Sequence, residues 1–550
     1  MPDRAEKCLP PPSGDGVGMH HPLPQPKSGH SVPFRSILFD ESETNAGIDE
    51  KQAPEFFHDL NLDQIVSSMT AGRDEYNLKP FFYAPLSHVE AVEYRYDVFR
   101  DLENRDLFRY IQSFAQEMRA MRSHLGRGDK FYYKRQKQSA FLDAVDTYCA
   151  AIGALARDLG PKDLRSRGFL AFRQYLTAYA ESQDFASLLA ETQKVRTDLS
   201  GIRYCLQIVG KRIQVGRYDS EPDYGAEVSE TFEKFRQGAA KEYRFNFDHG
   251  PDMNHVEAAV LDIVARLYPE IFSYLDEYCT RHVGFVDRVI ATFDREVQFY
   301  IACIDNIESL KQSGLFFCYP TVSDRSKEID ACGMFDLALA NKLVREKASV
   351  VPNDFYLKDP ERILVVSGPN QGGKTTFARA FGQLHYLASI GCPVPGSEAR
   401  LFLVDRLFTH FEREEDIRNQ SGKLEDELLR IQQILERATS ESILVMNESF
   451  LSTTLTDALF LSKQVMQRII HGRMLCVSVT FLDEVASMSE TTVSMVSMVS
   501  PKDPARRTFK VVRKPADGLA YAAAIAAKYR LTYHNVEQRI AENVNKRISS

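Results

Sequence analysis

Apolar residues recur at helical spacing from Phe56 to about Val344, and beyond that point the rhythm changes. Val256, Ala259, Val260, Ile263, Val264 and Leu267 follow the three-four spacing of an amphipathic helix, which predicts one buried stripe. Pro269 has no amide hydrogen and is expected to kink or restart that helix. The pattern runs on through Ile271, Leu275, Val283, Val286, Val289, Ile290, Phe293, Val297, Ile301 and Ile304, with Gly284 as its weak point. Such length predicts long packed helices or a lever arm. One interruption falls inside the region: residues 202 to 216 read as two short strands around a turn, a small hairpin.

After about Val344, short apolar runs alternate with helical segments. Residues 363 to 366, 443 to 446 and 475 to 479 read as buried parallel strands. Val493 to Val499 and Phe509 to Val512, separated by Pro501-Lys502-Asp503-Pro504, read as an antiparallel pair. This half is therefore expected to be α/β. At the other end, the first fifty residues hold eight of the 24 prolines, and residues 1 to 50 are expected to form a disordered or extended tail.

Composition narrows the classes. A chain of 550 residues is long enough for two or three domains. Its net charge of -8 gives no bulk electrostatic support for nucleic-acid binding, so DNA contact has to rest on local patches or enclosure. Two patches are candidates: Arg203, Lys211, Arg212 and Arg217 on the hairpin, and the basic-aromatic run from Lys130 to Lys137. A plain surface hairpin and a solvated helix face are the competing readings. The nine cysteines show no Cys-x-x-Cys spacing, which argues against zinc and a disulfide framework. No apolar run is read as spanning a bilayer and the start lacks a signal-peptide core, so a cytoplasmic location without membrane is expected.

The chemistry is concentrated in GPNQGGKTT, Gly368 to Thr376. Gly368-x-x-x-x-Gly373-Lys374-Thr375 follows a buried strand and opens a helix, the context of a P-loop. The glycines let backbone amides wrap phosphates, Lys374 reaches the β- and γ-phosphates, and Thr375 can ligate Mg2+. The string predicts ATP binding by Gly368, Pro369, Asn370, Gln371, Gly372, Gly373, Lys374, Thr375 and Thr376. The strand ending in Asn447-Glu448 supplies the second half: Glu448 can orient the attacking water, and Asn447 stands where an acid usually holds the metal. An amide oxygen has no negative charge, so Asn447 is expected to hold magnesium weakly and turnover to be slow.

These residues resemble the MutS family of DNA mismatch-repair ATPases, whose P-loop reads Gly-Pro-Asn-x-x-Gly-Lys-Ser/Thr. Val351-Pro352-Asn353-Asp354, Leu407-Phe408-Thr409, Glu448 and Thr453-Thr454 through Asp457 are similar to flanking segments of that family; Pro85-Leu86, Arg95 and Phe99 resemble the opening of its helical core. The resemblance implies an α-helical core and lever domain, residues 51 to 345, followed by an α/β P-loop ATPase domain of ABC type, residues 346 to 550. It also implies a dimer in which each ATP is closed by the partner's signature segment, for which Ser421-Gly422-Lys423 is the candidate; a plain N-cap serine is the alternative. Three departures stand out: Asn447 for an aspartate, Phe481 for a histidine that senses the γ-phosphate, and Ser449-Phe450-Leu451-Ser452 for a glycine-rich turn. Phe39-Asp40-Glu41 spells the family's mismatch-reading Phe-x-Glu, but a helical core starting near Phe56 leaves no room for that domain, and the string is read as chance. The expected protein is thus a shortened member, a dimeric ATPase acting on DNA structure in repair or recombination without reading mismatches. The alternative is a nucleotide-gated module that binds unidentified proteins with little turnover. A small-molecule kinase has no use for the helical arm.

Overall fold

The computed structural model describes residues 34–43, 47–210, 212–220, 227, 253–412, 422–501, 503–516, 531, 533 and 535–538. The expected disorder of residues 1 to about 30 lies outside them. Helices α1 (Phe56–Asp59), α2 (Leu62–Thr70), α3 (Lys79–Phe82), α4 (Val89–Leu102), α5 (Arg105–Lys130), α6 (Lys134–Leu159), α7 (Arg167–Ala180) and α8 (Gln183–Ser200) come first. They lead into a hairpin of β1 (Tyr204–Val209) and β2 (Arg212–Arg217), and α9 (His255–Leu267), α10 (Pro269–Arg281) and α11 (Arg288–Lys311) follow. Pro269 opens α10, where its missing amide hydrogen would have no partner in any case. The weak point at Gly284 is a true break, and α11 restarts after Asp287, whose carboxylate accepts from the amides of Val289 and Ile290 at 2.9 Å.

Helix α6 departs from expectation: it is long and apolar enough to cross a bilayer by length and composition. Half of its most apolar window is buried inside the molecule, with Leu142, Val145, Tyr148 and Ile152 in the core. Its apolarity is therefore answered by protein packing.

Phe34 to Phe39 form a segment that bends at Ile37 and Leu38 around the Ser36 hydroxyl and packs into the helical region, so this end of the expected tail is built into the core. Phe34, Ile37, Leu38 and Phe39 are all buried. Their peptide groups, removed from water, need partners: Ile37 N and Ser36 Oγ donate to Glu296 on α11 at 2.9 and 2.7 Å, and Tyr300 Oη donates to Ile37 O at 2.7 Å.

The second half begins before the change of rhythm expected near Val344: β3 (Phe317–Cys318), β4 (Thr321–Ser323) and β5 (Ile329–Met334) pair with later strands, and α12 (Leu337–Arg345), β6 (Asn353–Leu357), β7 (Ile363–Ser367), α13 (Lys374–Ser389), β8 (Val394–Pro395) and β9 (Glu398–Phe402) follow. It continues with β10 (Leu407–Phe411), α14 (Lys423–Arg437), β11 (Ile443–Asn447), α15 (Leu455–His471), β12 (Leu475–Val479), β13 (Thr492–Ser500) and β14 (Asp503–Arg513). Six strands form one sheet in the order β10-β11-β12-β7-β13-β14, parallel except for β14. Successive side chains of a strand point to opposite faces, and both faces here are apolar. Leu364, Val366 and Val445 join the large core shared with the helical region, whereas Ile363, Val365, Leu444 and Met446 join a second core under α14 and α15. That double burial is why the strands read as continuous apolar runs.

Candidate nucleotide site

The loop from Gly368 to Gly373 joins the central strand β7 to α13, at the carboxyl ends of the parallel strands. Gly368 and Gly373 have φ of 116° and 93°, conformations that favour glycine. Gly372 is required for space: a Cβ there would lie 2.3 Å from Ser497 Oγ, and that hydroxyl already donates to Gly372 O at 2.6 Å. Strand β13 therefore forms a floor beneath the loop.

Lys374 is only 4% exposed. Its Nζ donates back along the loop to Gly368 O (3.0 Å), Pro369 O (3.2 Å) and Asn370 Oδ1 (3.3 Å), and stands 3.8 Å from Glu448 Oε1. Burial pushes the Lys374 ammonium below its usual pKa; Glu448 opposes that shift and the charge of Arg507 adds to it. Beside it, Thr375 Oγ1 donates to Asn447 Oδ1 at 2.8 Å. The loop, Lys374, Thr375, Asn447 and Glu448, separated by some seventy residues of chain, thus converge at one end of the sheet.

Glu448 and Phe450 both sit at positive φ, 51° and 65°. This is uncommon for residues with a side chain and strained for a bulky one. Glu448 N donates to Val479 O at 2.9 Å, which fixes the turn against β12. Phe450 is fully buried, in the core under α14 and α15. A buried phenyl ring thus holds a conformation that a glycine would adopt freely.

Gly422 is the exposed N-cap of α14; Ser421 lies outside the described residues, and among them no hydrogen bond joins Gly422 to the loop. Phe481, 48% exposed, follows β12 and lines a cavity of about 1280 Å³ with Leu455 and Tyr356. Of the basic patches, Lys134 and Arg135 bond Asp276 at 2.8 and 2.9 Å. Arg217 Nε donates to Leu267 O at 2.9 Å, and Lys211 lies outside the described residues. Part of the basic charge in both patches is therefore engaged within the fold.

Three contacts to the loop were not visible in any local string. Ser497 is one. Arg507 Nε donates to Asn370 O at 3.2 Å, and Phe509 lies against Gly373, 3.7 Å from where its Cβ would be. The antiparallel pair β13-β14 is legible in the apolar pattern, but the side chains it brings to the loop are not.

The donor set suits a polyphosphate and a hard cation: a buried ammonium beside a glycine-rich turn at a helix start, with a hydroxyl and an amide oxygen adjacent. Residues 364–538 match the family model MutS domain V. Over 341 residues, 60% of this chain, the sequence is 25% identical to the DNA mismatch repair protein MutS of Syntrophomonas wolfei, covering 38% of that protein. A shorter stretch of 125 residues, 23% of this chain, is 36% identical to DNA mismatch repair protein MutS 2 of Halobacterium salinarum, covering 14% of it. Against human DNA mismatch repair protein Msh3 the identity is 27% over 172 residues, 31% of this chain and 15% of that protein. In each case the match spans well under half of the relative's own length.

Proposed function

We propose, for a chain that belongs to the MutS family, an ATPase of ABC type that pairs with a second copy and acts on DNA structure, with a slow nucleotide cycle setting its state. The observation that carries this reading is the buried Lys374, held at the mouth of the loop with Glu448 3.8 Å away and the Thr375–Asn447 bond alongside. In this reading residues 346 to 550 are the ATPase domain and residues 51 to 345 the helical core and lever. Loop amides and Lys374 bind the β- and γ-phosphates at the start of α13. Thr375 and Asn447 would hold magnesium, which when bound supplies charge neutralisation of the phosphate oxygens. Glu448 orients a water for attack on the γ-phosphorus; the bond to the β–γ bridging oxygen breaks, and ADP and phosphate leave. Ser421 and Gly422 of the second copy close the site.

Steady-state ATP hydrolysis with and without duplex, branched and single-stranded DNA tests the proposal. Turnover that rises with one of these structures, together with salt-dependent DNA binding, is expected. Glu448→Gln should keep ATP binding, lower turnover by roughly 100-fold or more and retain a closed dimer in light scattering. Parent-like turnover in that variant would remove Glu448 from the mechanism.

A second reading, a nucleotide-gated protein-interaction module with little turnover, is favoured by the neutral Asn447 and by the apolar Phe481. Absence of hydrolysis despite tight ATP binding selects it.

A further inference from the structure

We propose that His410 is a positioning residue for the nucleotide site: through Ser449 it holds Glu448 in the conformation that faces Lys374. This rests on the nucleotide-site reading above and gives a role to Ser449-Phe450-Leu451-Ser452, which stands in place of a glycine-rich turn.

The turn after β11 is strained on both sides of Ser449. Glu448 and Phe450 have φ of 51° and 65°, conformations that a glycine adopts freely and that residues with side chains keep only when their surroundings enforce them. Three separate contacts do so. Glu448 N donates to Val479 O on β12 at 2.9 Å, Phe450 is buried under α14 and α15, and the Ser449 hydroxyl lies 2.9 Å from His410 Nδ1. The first two fix a backbone amide and a ring. The third holds Ser449 itself, the residue between the strained pair.

His410 is built to hold it. The residue lies fully buried on the edge strand β10, and burial favours the neutral ring, pushing its pKa down to about 4. Its Nε2 stands 3.4 Å from Glu427 O on α14. A carbonyl only accepts, so Nε2 carries the hydrogen and Nδ1 accepts from the Ser449 hydroxyl. The ring also lies beside Phe450, with centroids 6.2 Å apart. One imidazole therefore meets two successive residues of the turn. Glu427, itself buried, accepts from the Ser452 hydroxyl at 3.4 Å, so α14 holds the turn at Ser452 directly and at Ser449 through His410.

The gain falls to Glu448. A carboxylate that orients water has to be placed closely, because a shift of about 1 Å costs about 100-fold in rate. Glu448 is the first strained residue of the turn and stands 3.8 Å from Lys374 Nζ. Without the Ser449 bond the turn can relax towards negative φ, and that rotation carries the carboxylate away from the loop.

Steady-state ATP hydrolysis by the full-length protein, with ATP affinity and melting temperature measured alongside, tests the role. Ser449→Ala removes the hydroxyl and little volume, so kcat should fall roughly 10- to 100-fold while ATP affinity stays at the parent value. His410→Phe keeps a ring in the core but has no acceptor, and should lose a similar factor. His410→Asn places an amide oxygen where Nδ1 stood and should recover most of the loss. A role in packing alone predicts the reverse order. His410→Phe combined with Ser449→Ala should be no slower than Ser449→Ala, because both changes remove one bond. Parent-like kcat in Ser449→Ala, losses that add in the double variant, or His410→Phe faster than His410→Asn overturns the positioning role, with an inactive Glu448→Gln still supporting the site. Parent-like turnover in Glu448→Gln, or none in the parent, overturns the nucleotide-site reading and the positioning with it.

Discussion

The two ends of helix α13 each meet a buried cation, and the cations are used differently. At the amino end, Lys374 has three oxygen partners on a glycine-rich loop and a carboxylate 3.8 Å away. At the carboxyl end, Arg95 of α4 is wholly enclosed. Its Nε donates to Leu38 O (2.9 Å) and its Nη1 to Ile390 O (2.7 Å), with the rings of Phe39 and Phe299 both 5.2 Å from the guanidinium carbon. Among the described residues no carboxylate lies within ion-pair distance of it, and Nη2 has no hydrogen-bond partner. A cation on a glycine-rich loop at a helix start, beside a carboxylate, is suited to a ligand, whereas one enclosed between rings and carbonyls of distant segments joins pieces of chain.

Between the two ends, α13 is tied to the helical region along its length. Arg379 Nε donates to Asp59 O and Gln383 Nε2 to Leu60 O, both at 2.8 Å, and Tyr386 Oη donates to Phe82 O at 2.7 Å. The loop that would hold phosphate is thus the start of a strut whose far end is seated among α3, α4 and the segment Phe34 to Phe39.

The largest effect is expected at the closed end. Arg95→Ala leaves two carbonyls unpaired and a cavity between rings, and should cost about 3–5 kcal/mol of stability in chemical denaturation. Loss of less than 1 kcal/mol would make Arg95 a passenger. At the amino end, Lys374→Ala should weaken ATP binding by about 100-fold, or about 3 kcal/mol, with a smaller loss of ligand-free stability than Arg95→Ala, because it opens no cavity between packed rings. A drop in ligand-free stability comparable to that of Arg95→Ala would erase the distinction between the two cations.

Glu296 sharpens the closed end through pH. Burial raises its pKa to about 7, against the opposing hydrogen bonds from Ser36 and Ile37. The folded state therefore binds more protons than the unfolded state between the ordinary carboxyl range and pH 7. Stability should fall across that window as pH rises, by on the order of 2–3 kcal/mol. Glu296→Gln keeps an acceptor for the segment and should flatten this part of the profile, matching or exceeding the parent at pH 8 in thermal melts. An unchanged slope would assign the pH dependence to other groups, Asp294 first among them. The smallest change is expected at the amino end: Asn447→Asp should lower the magnesium midpoint of hydrolysis and raise turnover several-fold, about 1 kcal/mol. Equal midpoints and rates would remove Asn447 from the account of the slow turnover proposed above.

Much of this was readable along the chain because the relevant interactions are local or periodic. The nine residues from Gly368 to Thr376 carry their own glycines, lysine and hydroxyls, so their geometry follows from neighbours a few bonds away. The strands of the central sheet are apolar on both faces and announced themselves as unbroken runs, and Pro269 acts on the residues beside it. Other features depended on segments that meet only in the folded molecule. Ser36 and Ile37 find Glu296 some 260 residues along the chain, and Arg95 finds Ile390 at 295. Phe509 meets Gly373 through the pairing of β14 with β13, more than 130 residues along the chain. A residue's own chemistry says what it can bond to, but its burial, strain and charge environment are set by whatever the rest of the chain packs around it.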